Sequence, residues 1–487
     1  MKLFFIFYVR KAYLLFILTV LLIQILGIVS CTSHRKSPAQ NLATSATDTI
    51  TVLQFGANGN DNKEDSEAFQ KAINEASSKG QVLVIPKGKF YVKDVNLKSN
   101  TTLMGVGDES IIQKIHSGIF AIGCNFSYTQ PLNDASGQFN IKNIRISNLA
   151  FKGTSNTDGF SEHKHLLNLN GVEDVLIQNS SFTAFNGDGI YIGSDVGVER
   201  HNKNVTIELC NFDGVNKENR NAISVIDGSG INILNNKFLN CTRSNMPGAI
   251  DFEPDVSPYH IIRNITVSGN SFNNIGGNVA AIAVVIAIDQ QNLKVPVENI
   301  TIVQNKMENV MHGIGIFHKN NADIRSASHR ITITENTVYN SKGYPLAMYG
   351  VGNVRIENNS FDIFKTNIFF GLPGKDYQCY NILFKKNLVK RNSGDGIGIS
   401  LRTVNKFTSE SNTFEDIGMT TVKYGIAILG ETNGKSEFVR SIQDILVGDR
   451  TTAFTAINPG HVTKAATNEF KKPVSQKNYI NFFPFKK

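Results

Sequence analysis

The chain has 487 residues, 41% of them hydrophobic and 18% charged, and carries a formal net charge of +8. Setting aside Lys2, Arg10 and Lys11 of an apolar leader leaves +5. With no concentrated Lys/Arg block elsewhere, that argues against a nucleic-acid partner, while it suits an anionic polymer, an anionic surface or plain solubility. Five cysteines without CxxC spacing exclude a zinc module and a dense disulfide framework.

Residues 1–30 read as a targeting segment, with cations flanking an apolar stretch from Ala12 to Val29. Ile28-Val29-Ser30-Cys31 resembles the lipobox of bacterial lipoproteins, which implies a lipid on Cys31 and an exported chain at the outer membrane, cell surface or periplasmic face. An uncleaved anchor helix is the alternative, and it exports the chain equally. Residues 31–49, rich in Ser, Thr, Ala and Gln, read as a flexible tether. Cys210 falls at an inward strand position and reads as a small core residue; a bridge from Cys124 stays open.

Residues 50–115 form the N-terminal cap and first coils. Ala68, Phe69, Ala72, Ile73 and Ala76 share one helical stripe, suited to closing the open end of a solenoid. Phe55-Gly-Ala-Asn-Gly-Asn-Asp61, Val84-Ile-Pro-Lys-Gly-Lys-Phe-Tyr91 and Leu103-Met-Gly-Val-Gly107 surround that helix. Together they resemble the N-terminal signature of the pectate lyase superfamily, the rhamnogalacturonase/epimerase-type β-helices. The resemblance implies an all-β fold, a right-handed parallel β-helix with an N-terminal capping helix. The superfamily includes hydrolases, lyases, epimerases and phage tail fibres, so the likeness does not name a reaction.

Residues 116–430 repeat one template. Val175–Phe182, Val205–Phe212, Ile231–Phe238, Ile265–Phe272 and Ile300–Met307 begin with apolar/polar alternation and end on a large apolar residue. Ile331–Val338, Val354–Phe361, Ile382–Val389 and Phe407–Phe414 continue the series, at intervals of 23 to 35 residues. Period-two alternation is the mark of strands with one buried face, and short strands that bury a face only by stacking on their neighbours form a solenoid. Two residues before the terminal position stand Asn236, Asn270, Asn305, Asn336, Asn359, Asn387 and Asn412. Such a column predicts an inward asparagine ladder at one bend. After about Gly430 the pattern fades, and residues 431–487 read as a C-terminal coil or cap.

A second short strand follows in most units. Aligning Ile190, Ile223, Ile250, Ala281 to Ile282 and Ile314 as inward residues turns Tyr191, Ser224, Asp251 and Gly315 outward. The same alignment gathers Arg220, Asp227, Asp251, Glu253 and Asp255 within two turns. Carboxylates on one face repel when ionised, which raises at least one pKa and supplies the acid that glycoside hydrolysis needs. Asp251, Glu253, Asp255 and Asp227 are therefore the catalytic candidates. Arg220 is the fork for a substrate carboxylate or sulfate; Tyr191, Asp188 and His318 are further substrate-binding candidates. A solvated acidic face or a calcium site made from the same oxygens stays open, and no cofactor is required.

Glu253-Pro-Asp255 resembles the Glu-x-Asp pair of iota-carrageenases, which implies Glu253 as acid and Asp255 as base. Asn156-Thr-Asp-Gly159 resembles the first motif of polygalacturonase-type hydrolases, but the companion motifs are absent and Asp158 reads as a turn residue. The expected function is a surface-anchored hydrolase of an acidic polysaccharide. The alternatives are a lyase working in the same groove, with Arg220 neutralising a uronate, and a glycan-binding β-helix without catalysis.

Overall fold

The computed structural model describes residues 48–115, 122–123, 134–194, 199–246, 248–255, 257–287, 293–318, 329–372, 377–391, 397–416, 423–429, 436–447, 451–457 and 462–465. The leader, nearly all of the tether, the Cys31 lipid site, Cys124 and the residues after 465 lie outside them.

Alternation along each strand sets the architecture. Val205 and Ile207 are fully buried and Thr206 between them points out. The same phase is kept by Val175, Val205, Ile231, Ile265, Ile300, Ile331, Val354, Ile382 and Phe407, which pair coil to coil. A one-residue slip would turn every one of them outward, so the register is firmly specified. From Ile141 onward most coils give one strand to each of three sheets of 15, 13 and 11 strands, as Lys203–Glu208, Asn211–Asp213 and Ile223–Val225 do in one turn; Val95–Asn96 and Ile122–Gly123 pair separately in the first coils. Every pairing is parallel, and the molecule is a parallel β-helix whose core runs as a single cluster along the inside of the coils.

Two columns hold the bend between the first and second strands. The residue before each ladder position takes a left-handed conformation, with φ of 48° at Asn179, 54° at Asn235 and 56° at Asn358, which asparagine tolerates best after glycine. The ladder asparagine then points inward. Asn305 Nδ2 donates to the Val267 carbonyl at 2.9 Å and to Asn336 Oδ1 at 2.9 Å, while its own Oδ1 accepts from Asn270 N and Nδ2 at 3.0 and 2.9 Å. The expected ladder is therefore present from Asn236 to Asn412. Beneath it, Phe151, Phe182, Phe212, Phe238 and Phe272 stack face to face with centroids 4.7 to 5.0 Å apart, each pair adding about 0.5–1.5 kcal/mol beyond its burial. Cys210 sits inward beside them, with its thiol pushed up to about 12 by burial.

The helix Ser66–Lys79 buries its expected stripe against the first strands and ends on Gly80 at φ 66°, a left-handed stop that glycine adopts without penalty. At the other end the coils continue past Gly430. Strands Ser436–Ile442, Ile445–Val447, Thr451–Ile457 and Val462–Ala465 extend the three sheets. Asp444 takes the ladder place there, accepting from Asn412 N and Nδ2 at 2.8 and 2.9 Å. The asparagine column stops before the fold does, because a carboxyl oxygen accepts the same two bonds.

Candidate active site

The 11-stranded sheet brings Leu167–Asn170, Ile190–Gly193, Ile223–Val225, Ile250–Phe252, Ile282–Ala287 and Ile314–His318 side by side. Its register pairs Tyr191 with Ser224, Ser224 with Asp251, Asp251 with Ala283 and Ala283 with Gly315, as the alignment of inward isoleucines predicts. Asp251 thus stands outward between the core residues Ile250 and Phe252, yet it is only 1% exposed. Its Oδ2 accepts from Asn221 Nδ2 at 3.4 Å, and its Oδ1 is buried without a donor among the described residues. Burial first, and then the adjoining Glu253 carboxylate, hold the Asp251 carboxyl well above the usual range; Arg220 opposes them and loses. Glu253, two residues on and on the same face, is partly exposed and shares a hydrogen bond with Asp251. Asp255 follows after buried Pro254, on the exposed side of the strand end.

Arg220 lies directly beside this pair but is already engaged. Its Nη1 donates to both Asp188 oxygens at 2.8 and 2.6 Å and to Ser224 Oγ at 3.1 Å, and Nη2 stands 3.6 Å from Glu162 Oε1. Burial works against ionisation of Asp188, but Arg220 and then His165 hold that carboxyl below its ordinary value. Asp188 is fully buried and also accepts from Asn221 N at 3.1 Å, while its own N–H donates to His165 Nδ1 at 3.0 Å. Asn221 Oδ1 in turn accepts from Gly248 N at 3.4 Å. His165, Asp188, Asn221 and Gly248 therefore form a second, short ladder at the corner before the sheet. Extending the strand alignment two residues upstream would have exposed it in the sequence.

Tyr191 lies over Gly193, where a Cβ would collide with its ring, and stacks on His165 at 4.3 Å and 6°. A flat aromatic surface thus lies one coil before Arg220 and two coils before the carboxyl pair.

Asp227 does not join the carboxyl cluster. It is fully buried at the turn after Ile223–Val225, where Oδ1 meets His201 Nδ1 at 2.9 Å and accepts from Ile261 N at 2.8 Å, and Oδ2 accepts from Asn202 N at 3.2 Å. Those bonds fix the corner. His318 ends its strand, but its side chain is outside the described residues. His312 nearby is half-buried and stacked on Tyr344 at 4.0 Å, and desolvation lowers it to about 4. Beyond the carboxyl pair the same outer face turns apolar, with Phe317, Tyr344 and Ala347 packed against Tyr349 and Phe369. Among the described residues, no three His, Cys, Asp or Glu side chains converge as a metal site.

Residues 49–246 match the family model described as rhamnogalacturonase A/epimerase, pectate lyase-like, and residues 316–441 match that of a right-handed β-helix region. Over 82 residues the chain is 39% identical to an iota-carrageenase of Alteromonas macleodii, and over 74 residues it is 32% identical to one of Zobellia galactanivorans. These stretches cover 15% of this chain in each case, and 16% and 15% of the two carrageenases, so the match spans about a sixth of their length. Among solved structures, the N-terminal fragment of bacteriophage phi29 gene product 12 superposes with a TM-score of 0.56 at 16% identity, over 84% of this chain and 70% of that one. That likeness concerns the fold alone. The fold is the right-handed parallel β-helix, and the resemblance read from the N-terminal motifs holds.

Proposed function

We propose that the chain is a glycoside hydrolase acting on an acidic, sulfated or uronate-bearing polysaccharide, exported and anchored through Cys31 at the bacterial surface. The observation that carries the reading is the Asp251–Glu253 pair, a buried carboxyl held well above its usual range with a partly exposed one two residues on, beside a largely buried guanidinium. A carboxyl raised in this way favours its protonated form, the form that protonation of a leaving glycosidic oxygen requires. Glu253 is the partly exposed member and the one that meets the substrate as general acid. Asp251, buried behind it, is a positioning residue that tunes the proton. Asp255, on the exposed side, activates water or attacks the anomeric carbon.

Arg220 is committed to Asp188, so it shapes the field of the site more than it offers a free fork. Tyr191, stacked and flat, supplies an apolar face for a sugar ring. The short identity to two iota-carrageenases makes a sulfated galactan the first substrate to try. Pectin, alginate and ulvan complete the panel.

Product release is to be followed by reducing ends and by the absorbance of an unsaturated uronate. The expected result is new reducing ends without absorbance, and a Glu253→Gln chain slower by about 10²–10⁴-fold with an unchanged melting temperature. Absorbance appearing with each cleavage would establish the lyase alternative. Binding without cleavage, unaffected by Glu253→Gln and Asp255→Asn, would establish the non-catalytic one.

A further inference from the structure

Away from the carboxyl pair, the first coils enclose a cleft of about 630 Å³ between the Asn62–Glu64 loop, strands Gly88–Val92 and Ser110–Lys114, and the turn Lys152–Asp158. Four lysines line it, Lys89, Lys93, Lys114 and Lys152, against two carboxylates, Glu64 and Asp158. Glu64 is already paired with Lys93 at 3.1 Å. Asp158 is tied to Thr154 Oγ1 at 2.7 Å. Positive charge is therefore left over.

Lys114 is the unusual member. It is 1% exposed, and its ammonium donates to Asn186 Oδ1 at 2.9 Å and Thr154 Oγ1 at 3.3 Å, both neutral. No carboxylate stands within ion-pair distance of it among the described residues. Burial first, and then Lys164, lower the ammonium to about 8, and Asp158 opposes them; that carboxylate reaches Lys114 only through the Thr154 hydroxyl they share. Buried charges are normally paired. A site that pairs one only through a bridging hydroxyl, with four lysines against two carboxylates and room beside them, is complementary to an anion.

The cleft is also joined to the carboxyl site. Asn186, which holds Lys114, is two residues from Asp188, which holds Arg220. The segment 153–164 borders both: Thr154 and Asp158 line the cleft, and Glu162 reaches Arg220. Along the solenoid the two sites are four coils apart, about 19 Å at the spacing of neighbouring strands.

We propose that the lysine-lined cleft is a remote subsite for the anionic group, sulfate ester or carboxylate, of the same polysaccharide chain whose scissile bond lies at Asp251 and Glu253. It rests on the proposed function for the identity of the polymer, but its anion chemistry stands by itself.

The test uses the full chain carrying Glu253→Gln, titrated calorimetrically with ι-carrageenan and, separately, with polygalacturonate, which distinguishes sulfate from carboxylate. Lys89→Gln combined with Lys152→Gln removes charge from partly exposed positions and spares buried Lys114, whose own replacement risks misfolding. The expected result is at least tenfold weaker binding of one polymer, with an unchanged melting temperature. In the otherwise native chain the same pair of changes raises KM for the polymer and leaves turnover of the shortest cleavable oligosaccharides as it was.

Inorganic sulfate gives an independent arm. Millimolar sulfate should raise the melting temperature of the parent more than that of the double variant. Equal polymer affinities in both chains would overturn the subsite even if cleavage occurs. A sulfate effect confined to the parent, with no glycan cleaved, would keep the anion site and sink the hydrolase reading. No difference between the chains in any arm would overturn the subsite outright.

Discussion

Asp251 and Asp188 are both buried carboxyls, two coils apart, and they respond to burial in opposite ways. Asp188 has Arg220 in bidentate contact and stays ionised below its ordinary pKa; Asp251 faces Glu253 and is held protonated well above it. The consequence for stability has opposite signs. An unfolded aspartate titrates near about 3.9. From there up through the raised folded pKa of Asp251, the folded chain keeps a proton that the unfolded chain has lost, so Asp251 withdraws stability as pH rises through that window. Asp188 gives stability that is present above about 4 and is lost as pH falls through its depressed folded value. Asp251→Asn removes the first effect and leaves the second. Its melting temperature relative to the parent should climb between pH 4 and pH 7, read by calorimetry at matched ionic strength. A constant offset across that range would mean that Asp251 is ionised in the folded chain.

At the scale of the element, strands in this fold are short and marginal alone, and the bends make them add up. Asn305 illustrates the point, because each of its side-chain atoms serves a neighbouring coil. Asn305→Ala removes the acceptor of the buried Asn270 N–H and the donor to the Val267 carbonyl. Each stranded group costs about 1–3 kcal/mol. A loss of about 3 kcal/mol is expected from urea unfolding, against less than about 1 kcal/mol for Asn274→Gly, an exposed position at φ 55° that glycine also adopts. Similar losses at the two positions would show that the inner ladder does not hold the bend.

This ladder was readable in the sequence because its members recur at one offset from an apolar landmark. The outward direction of Asp251 was readable for the same reason. The burial of Asp251, the capture of Arg220 by Asp188 and the separate place of Asp227 were not. They depend on how corners between strands fold over the sheet, and those corners vary in length from coil to coil. Lys114 left no trace either, since its partner Asn186 lies 72 residues on and no pattern marks a lysine turned inward.

For the whole molecule, each coil touches its neighbours and little else, so stability is close to a sum of coil and interface contributions. Damage should then stay local. Asn236 opens the turn that leads through Lys237–Leu239 to the Asp251 strand, whereas Asn387 occupies the equivalent place five coils later. Asn387→Ala should raise amide hydrogen exchange in Gly352–Glu357, Cys379–Lys385 and Val404–Glu410. Protection in Ile141–Ser147 and Val172–Gln178, and polysaccharide cleavage at 25 °C, should remain at parental values. Asn236→Ala should loosen Lys203–Glu208 and Gly228–Leu234 and depress cleavage together, because the strand that carries Asp251 loses its lead-in. Exchange that rises uniformly along the chain in either variant would mean that the solenoid unfolds as one cooperative unit. The carboxyl pair would then draw its rigidity from all the coils rather than from the two on either side of it.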